Sequence, residues 1–156
     1  MMHIEYTLDG YGWATCTVSD GEKLIKITAS YLSDPVQNLL RAMIQLMNGD
    51  KESHASFDEE PGEYRWIFNR LNGDNILIAI REFDDLWSNE PDEKGKKIFE
   101  TISPLKDLVY AIYSMAEKIL KDTGEEKYKE LWGYTENGGS FPIDEYKKVH
   151  QWIKNR

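Results

Sequence analysis

The chain has 156 residues and a formal charge of −9. That is a common length for one domain, enough to bury about two-thirds of the surface its unfolded chain would expose. The composition is 40% apolar and 30% charged, with five Trp and nine Tyr, which fits a folded protein and argues against a disordered one. The acidity argues against nonspecific binding to nucleic acid or anionic lipid, both of which need clustered Lys and Arg, and favours a basic partner. Cys16 stands alone, which excludes an internal disulfide and fits a reducing cytosol. No cationic leader or membrane-length apolar run is present. The expectation is one soluble cytoplasmic domain over residues 1–156, with no membrane or nucleic-acid partner; oligomeric state is left open.

Ile4, Tyr6 and Leu8 alternate with polar neighbours, predicting a first strand before Asp9-Gly10. Trp13 to Ala29 reads as a hairpin turning at Asp20-Gly21, with Ala14 opposite Ile27 and Cys16 opposite Ile25. Slipping that register by one residue would push Lys26 into the core. Asp34-Pro35 supplies a helix N-cap and first turn, Val36, Leu39, Leu40, Met43 and Met47 an apolar stripe, and Asn48-Gly49 a stop. A strand is predicted over Ser53 to Phe57.

Tyr64 to Leu71 and Asn75 to Phe83 flank Asn72-Gly73-Asp74, a hairpin signature. A three-residue loop is favoured over a two-residue one because it stacks Trp66 and Phe68 on Ile78 and Ile80. Residues 86–95 read as a connection, and Lys97 to Ile102 as a last strand. Ser103-Pro104 opens the strongest helix, with Leu105, Leu108, Val109, Ile112, Met115, Ala116, Ile119 and Leu120 inward and Gly124 at its end. A short helix around Glu126 to Trp132 and a terminal helix after Phe141-Pro142 follow. Strands and helices do not alternate as in a doubly wound fold. The predicted fold is therefore α+β: a mostly antiparallel sheet of about five to six strands, backed on one face by a helix after the first hairpin and by C-terminal helices.

The charge is unevenly spread. Residues 58–93 hold eleven acids against Arg65, Arg70 and Arg81, whereas the segment before sums to −3 and the segment after to +2. An antiparallel hairpin returns the chain to its start, so Asp58, Glu59, Glu60 and Glu63 should lie near Glu82, Asp84 and Asp85. Crowded carboxylates repel, and a cation or basic partner would offset that cost. The candidate partner-binding residues are Glu59, Glu60, Glu63, Glu82, Asp84 and Asp85 for the field, with Tyr64, Phe83 and Trp87 as aromatic anchors. The same charges also fit a solvated surface that keeps the chain soluble, and Trp87 also fits a cap on the core.

Signals for chemistry are sparse. His3, His54 and His150 share no helical i, i+4 spacing and have no Cys partner, so no metal site or cofactor is predicted. Residues 58–62 lack the alternating oxygen ligands of a calcium loop. No nucleophile elbow or Walker pattern occurs, and Asn137-Gly138-Gly139-Ser140 lacks a following Lys. His54 with Asp58 or Glu59 is one candidate acid-base pair, and a surface histidine on an edge strand is the favoured reading of the same residue. Arg65 and Glu82 are placed to pair across the hairpin as scaffold. No catalytic residue is assigned.

Glu60-Pro61-Gly62-Glu63-Tyr64-Arg65-Trp66 followed by Phe83-Asp84-Asp85, with Gly124, Tyr128, Trp132 and Phe141-Pro142 later, resembles a pattern in small acidic uncharacterised bacterial proteins. These are similar in size and acidity to the immunity proteins that accompany polymorphic or contact-dependent toxins, and the similarity spans about residues 60–145. The resemblance implies a non-enzymatic acidic binding protein that neutralises a basic toxin or effector by occlusion. It implies no catalytic residues. The alternatives are a small hydrolase or ligand-binding domain with a pocket between sheet and helices, using His54 and a nearby carboxylate, and a housekeeping interaction subunit.

Overall fold

Among the described residues, period-two alternation drives seven segments into strands, and period-3.6 apolar stripes drive four into helices. A computed structural model describes residues 1–85, 89–132 and 139–156. The strands are β1 (His3–Gly10), β2 (Trp13–Ser19), β3 (Leu24–Ser30), β4 (Glu52–Asp58), β5 (Glu63–Arg70), β6 (Asn75–Phe83) and β7 (Lys96–Pro104). The helices are α1 (Pro35–Met47), α2 (Leu105–Asp122), α3 (Glu125–Trp132) and α4 (Ile143–Lys154). A 3-10 turn, Asp92–Lys94, precedes β7.

The α+β class holds, with helices packed on antiparallel sheets. The strands divide into a three-stranded sheet, β1-β2-β3, and a four-stranded sheet, β4-β5-β6-β7. The division falls where α1 intervenes. β3 and β4 meet through side chains rather than a ladder: Ser30 Oγ donates to the Asp58 carbonyl at 3.2 Å, and the Asp58 amide donates to Ser33 Oγ at 2.9 Å. At the other side, the tip of the β2–β3 hairpin lies against β7, where Lys23 Nζ donates to the Glu100 carbonyl and the Asp20 carboxylate bonds Thr101. These two contacts cover part of the outer edge of β7, which otherwise ends the sheet with unpaired backbone.

One contiguous core runs beneath both sheets. It includes Val18, Ile27, Leu39, Leu40, Met43, Phe57, Trp66, Phe68, Ile78, Ile80, Leu108 and Ile112, all fully or almost fully shielded from solvent. The central hairpin has the expected register, Trp66 opposite Ile80 and Phe68 opposite Ile78. Its loop closes with the Leu71 amide on the Asn75 carbonyl at 2.7 Å, and Gly73 takes a left-handed φ of 66°, which a glycine adopts without steric cost.

The β2–β3 hairpin differs from the expected pairing by two residues. Cys16 faces Ile27 and Val18 faces Ile25. The two-residue loop is replaced by a four-residue turn, because the Asp20 carboxylate accepts the amides of Glu22 (2.9 Å) and Lys23 (2.8 Å). A shift of two preserves the face of every side chain, so the expected core face is unaffected.

Helix α1 starts as its cap residues dictate: the Asp34 carboxylate accepts the Gln37 amide at 3.2 Å. Tyr128 of α3 donates its hydroxyl to the same carboxylate, and the Trp132 indole donates to the Ser33 carbonyl. These bonds seat α3 on the start of α1. No helix among the described residues is long and apolar enough to cross a membrane.

Candidate functional site

The β5–β6 ladder brings the ends of the hairpin together, with Glu63 opposite Phe83 and Tyr64 opposite Glu82. Just before β5 the chain presses against the end of β6. A Cβ on Gly62 would fall 2.5 Å from the Phe83 carbonyl oxygen and 3.4 Å from that of Asp84. The Glu59 amide closes the turn on the Gly62 carbonyl at 2.7 Å, and the Glu60-Pro61 peptide within it is cis. Acids far apart in sequence thus share one end of the second sheet.

Strand alternation then distributes the nine candidate residues unevenly. Tyr64 and Glu82 point to the face that carries Trp66 and Ile80, and Glu63 and Phe83 to the opposite face. Glu60, Asp84 and Asp85 are exposed, and Glu59, Tyr64 and Glu82 are half-buried. Glu63 is only 6% exposed and Phe83 only 3%. Trp87 lies outside the described residues. Among the described residues, no ion pair involves Glu59, Glu60, Glu82, Asp84 or Asp85. The Tyr64 hydroxyl sits between the carboxylates of Glu59 and Glu82; burial and these two charges push its pKa well up, so it remains a donor.

Glu63 and Phe83 are engaged by Arg65. The guanidinium donates to both oxygens of Glu63, at 3.1 and 3.2 Å, to Asp92 Oδ1 at 2.9 Å and to the Glu90 carbonyl at 2.7 Å. It also stacks 4.0 Å above the Phe83 ring. Ser56 Oγ adds a third bond to Glu63 at 2.8 Å. The expected Arg65–Glu82 pair does not form, because the two side chains leave the sheet on opposite faces. Arg65 instead ties the sheet to the segment that precedes β7.

Beside this cluster lies a polar cavity of about 470 Å³, lined in part by His54, Ser56, Asp58, Glu63, Arg65 and Asp92. His54 stands at its rim with Nε2 2.8 Å from Asp92 Oδ2 and 3.2 Å from Glu52 Oε1. The carboxylates paired with His54 are therefore Asp92 and Glu52 rather than the expected Asp58 or Glu59, although Asp58 lines the same cavity. Burial pushes the Asp92 carboxyl up, but the bonds from His54 and Arg65 outweigh it and hold its pKa below the usual carboxylate range. Glu52 and His54 were within reach of sequence reasoning, because i, i+2 on a strand shares a face. Asp92 was not, since nothing local says where the loop after β6 returns.

The remaining candidates are accounted for elsewhere. Cys16 is buried, and burial pushes its thiol pKa up, which suppresses the thiolate. His3 pairs with Glu5 on the surface at 3.3 Å. His150 Nδ1 lies 2.8 Å from the Tyr113 hydroxyl in a cluster between α2 and α4. Asn137 and Gly138 of the glycine-rich loop lie outside the described residues.

No protein-family model matches the chain, and no curated protein sequence matches it. Among solved structures, the chain is similar to one from the CdiA-CT/CdiI toxin and immunity complex of Enterobacter cloacae. The TM-score is 0.50 at 12% identity, and the alignment covers 75% of this chain and 99% of that one. At this identity the likeness is one of fold.

Proposed function

We propose that the protein is a non-enzymatic binding protein of the immunity type, which neutralises a basic toxin or effector domain by occluding it. The observation that carries this reading is the hairpin end itself. Glu60, Asp84 and Asp85 project into solvent there, flanked by Glu59 and Glu82, with no cation among the described residues in ion-pairing range. Such a surface steers a basic partner and repels an acidic one. A fold similar to that of a chain from a toxin and immunity complex supports the same reading. The recognition surface on this view is Glu59, Glu60, Tyr64, Glu82, Asp84 and Asp85, with Trp87 as a proposed anchor. Glu63 and Phe83 hold it in shape through Arg65.

The test is co-expression with the product of the adjacent reading frame, followed by titration of the purified pair at low and high salt. Relief of that product's toxicity, and binding weakened at least about tenfold by Glu60→Lys, Asp84→Lys and Asp85→Lys together, is the expected result. A harmless neighbour, unrelieved toxicity or unchanged binding by the triple variant would overturn it.

A second reading, a small ligand-binding or hydrolytic domain, is favoured by the cavity beside His54 and Asp92. It predicts a small-molecule activity abolished by His54→Ala, an outcome the occlusion reading does not share.

A further inference from the structure

We propose that Glu52, His54 and Asp92 form a site for a divalent first-row transition ion of the zinc type, at the mouth of the polar cavity. Glu52 and His54 project from the same face of β4, two residues apart, and Asp92 is brought over them by the turn that precedes β7. One donor atom from each lies within 4.8 Å of the other two. The imidazole Nε2 carries at most one hydrogen, yet two carboxylate oxygens stand 2.8 and 3.2 Å from it. A single proton can at best be divided between the two acceptors, whereas a cation between the three atoms serves all of them.

Donors bound at roughly 2.1 Å around a tetrahedral ion are roughly 3.4 Å apart. The His54–Glu52 separation of 3.2 Å is already near that value, and the 52% exposed Glu52 side chain is free to adjust; Asp92 Oδ2, at 2.8 Å from the imidazole, would draw back by roughly 0.6 Å to admit the ion. The Asp92 carboxylate is aimed from behind: Arg65 holds Oδ1 at 2.9 Å and is itself fixed by Glu63, leaving Oδ2 directed at His54. Support of this kind for a ligating carboxylate is what metal sites use to orient their donors. The imidazole selects a transition ion over calcium or magnesium, which prefer all-oxygen shells. Three protein donors leave a coordination position open to water or to a donor from a bound molecule. Helical i, i+4 spacing does not reveal this set, because its two β4 members follow the period of a strand.

The experiment is calorimetric titration of the chelator-treated full chain with zinc chloride, alongside NMR of the histidine ring protons. One equivalent should bind, with His54 ring resonances shifting while those of His3 and His150 stay in place. His54→Gln and Asp92→Asn should each weaken binding at least about tenfold, since loss of even an outer-shell partner costs about 10–100-fold. His3→Ala, which removes the other surface His–Glu pair, should leave binding unchanged. Absence of saturable binding, equal shifts at His3, or full affinity in His54→Gln would each overturn the proposal. The ring-proton shifts in the unmodified chain decide it even if Asp92→Asn, which also weakens the Arg65 contact, folds poorly.

Discussion

Replacing Arg65 with Met tests whether one guanidinium organises the acidic end. The substitution keeps an aliphatic stem over Phe83 but strands Glu63, whose side chain is 6% exposed, and releases Asp92, whose side chain is 32% exposed. Removing one partner of a buried ion pair costs about 3–5 kcal/mol, because the remaining charge is left without compensation. Ser56 still donates to Glu63, and water reaches Asp92, so the lower end of that range applies, about 3 kcal/mol. For a chain of this size, that corresponds to a fall in Tm of about 6–12 °C. Urea unfolding at pH 7, followed by tryptophan fluorescence, measures it directly. Glu63→Gln removes the stranded charge, so the double variant should lose at least about 1 kcal/mol less than the two single losses added together. Hydrogen exchange of residues 89–94 should rise in Arg65→Met, since Arg65 bonds both the Glu90 carbonyl and Asp92. A Tm change below about 2 °C, or additivity within about 0.3 kcal/mol, would refute the role given to Arg65.

Two further outcomes follow from local geometry. Gly62→Ala should destabilise by about 1–3 kcal/mol in chemical unfolding, because its methyl would meet the Phe83 carbonyl, which is backbone and cannot rotate away; a neutral effect would mean that the two chain ends are not in contact. Amides of Lys23 and Glu22 and the Thr101 side chain hold the Asp20 pKa at about 2, below its unfolded value. A depressed carboxyl contributes stability above the unfolded pKa and loses it as pH falls through the folded one. Thermal melts between pH 4 and pH 2 should therefore fall more steeply for the natural chain than for Asp20→Ala; parallel curves would contradict that assignment.

Much of the fold was legible in the sequence because its signals are local. Asp34-Pro35 and Asn48-Gly49 bracket α1 as their chemistry requires. A three-residue loop at Gly73 is what puts Trp66 and Phe68 with Ile78 and Ile80, and that register forms. The β2–β3 turn was less legible. The Asp20 side chain, by capturing two amides, makes a four-residue turn as self-consistent as a two-residue one. The grouping of strands into two sheets had no local signature, since alternation says which face is buried but not which strand lies alongside.

At the site, the sequence established that acids converge at one end of the central hairpin, because an antiparallel pair must return to its start. Tertiary structure decided which of them remain available. Alternation and the return of the loop after β6 turned Glu63 and Phe83 inward onto Arg65 and left Glu60, Asp84 and Asp85 outside. It also placed Asp92, 38 residues away, against His54, where the sequence offered Asp58 or Glu59 as the partner. The physical reason is range. Turn chemistry and side-chain period act over a few neighbouring residues, whereas ion pairs and donor clusters depend on where distant segments are packed.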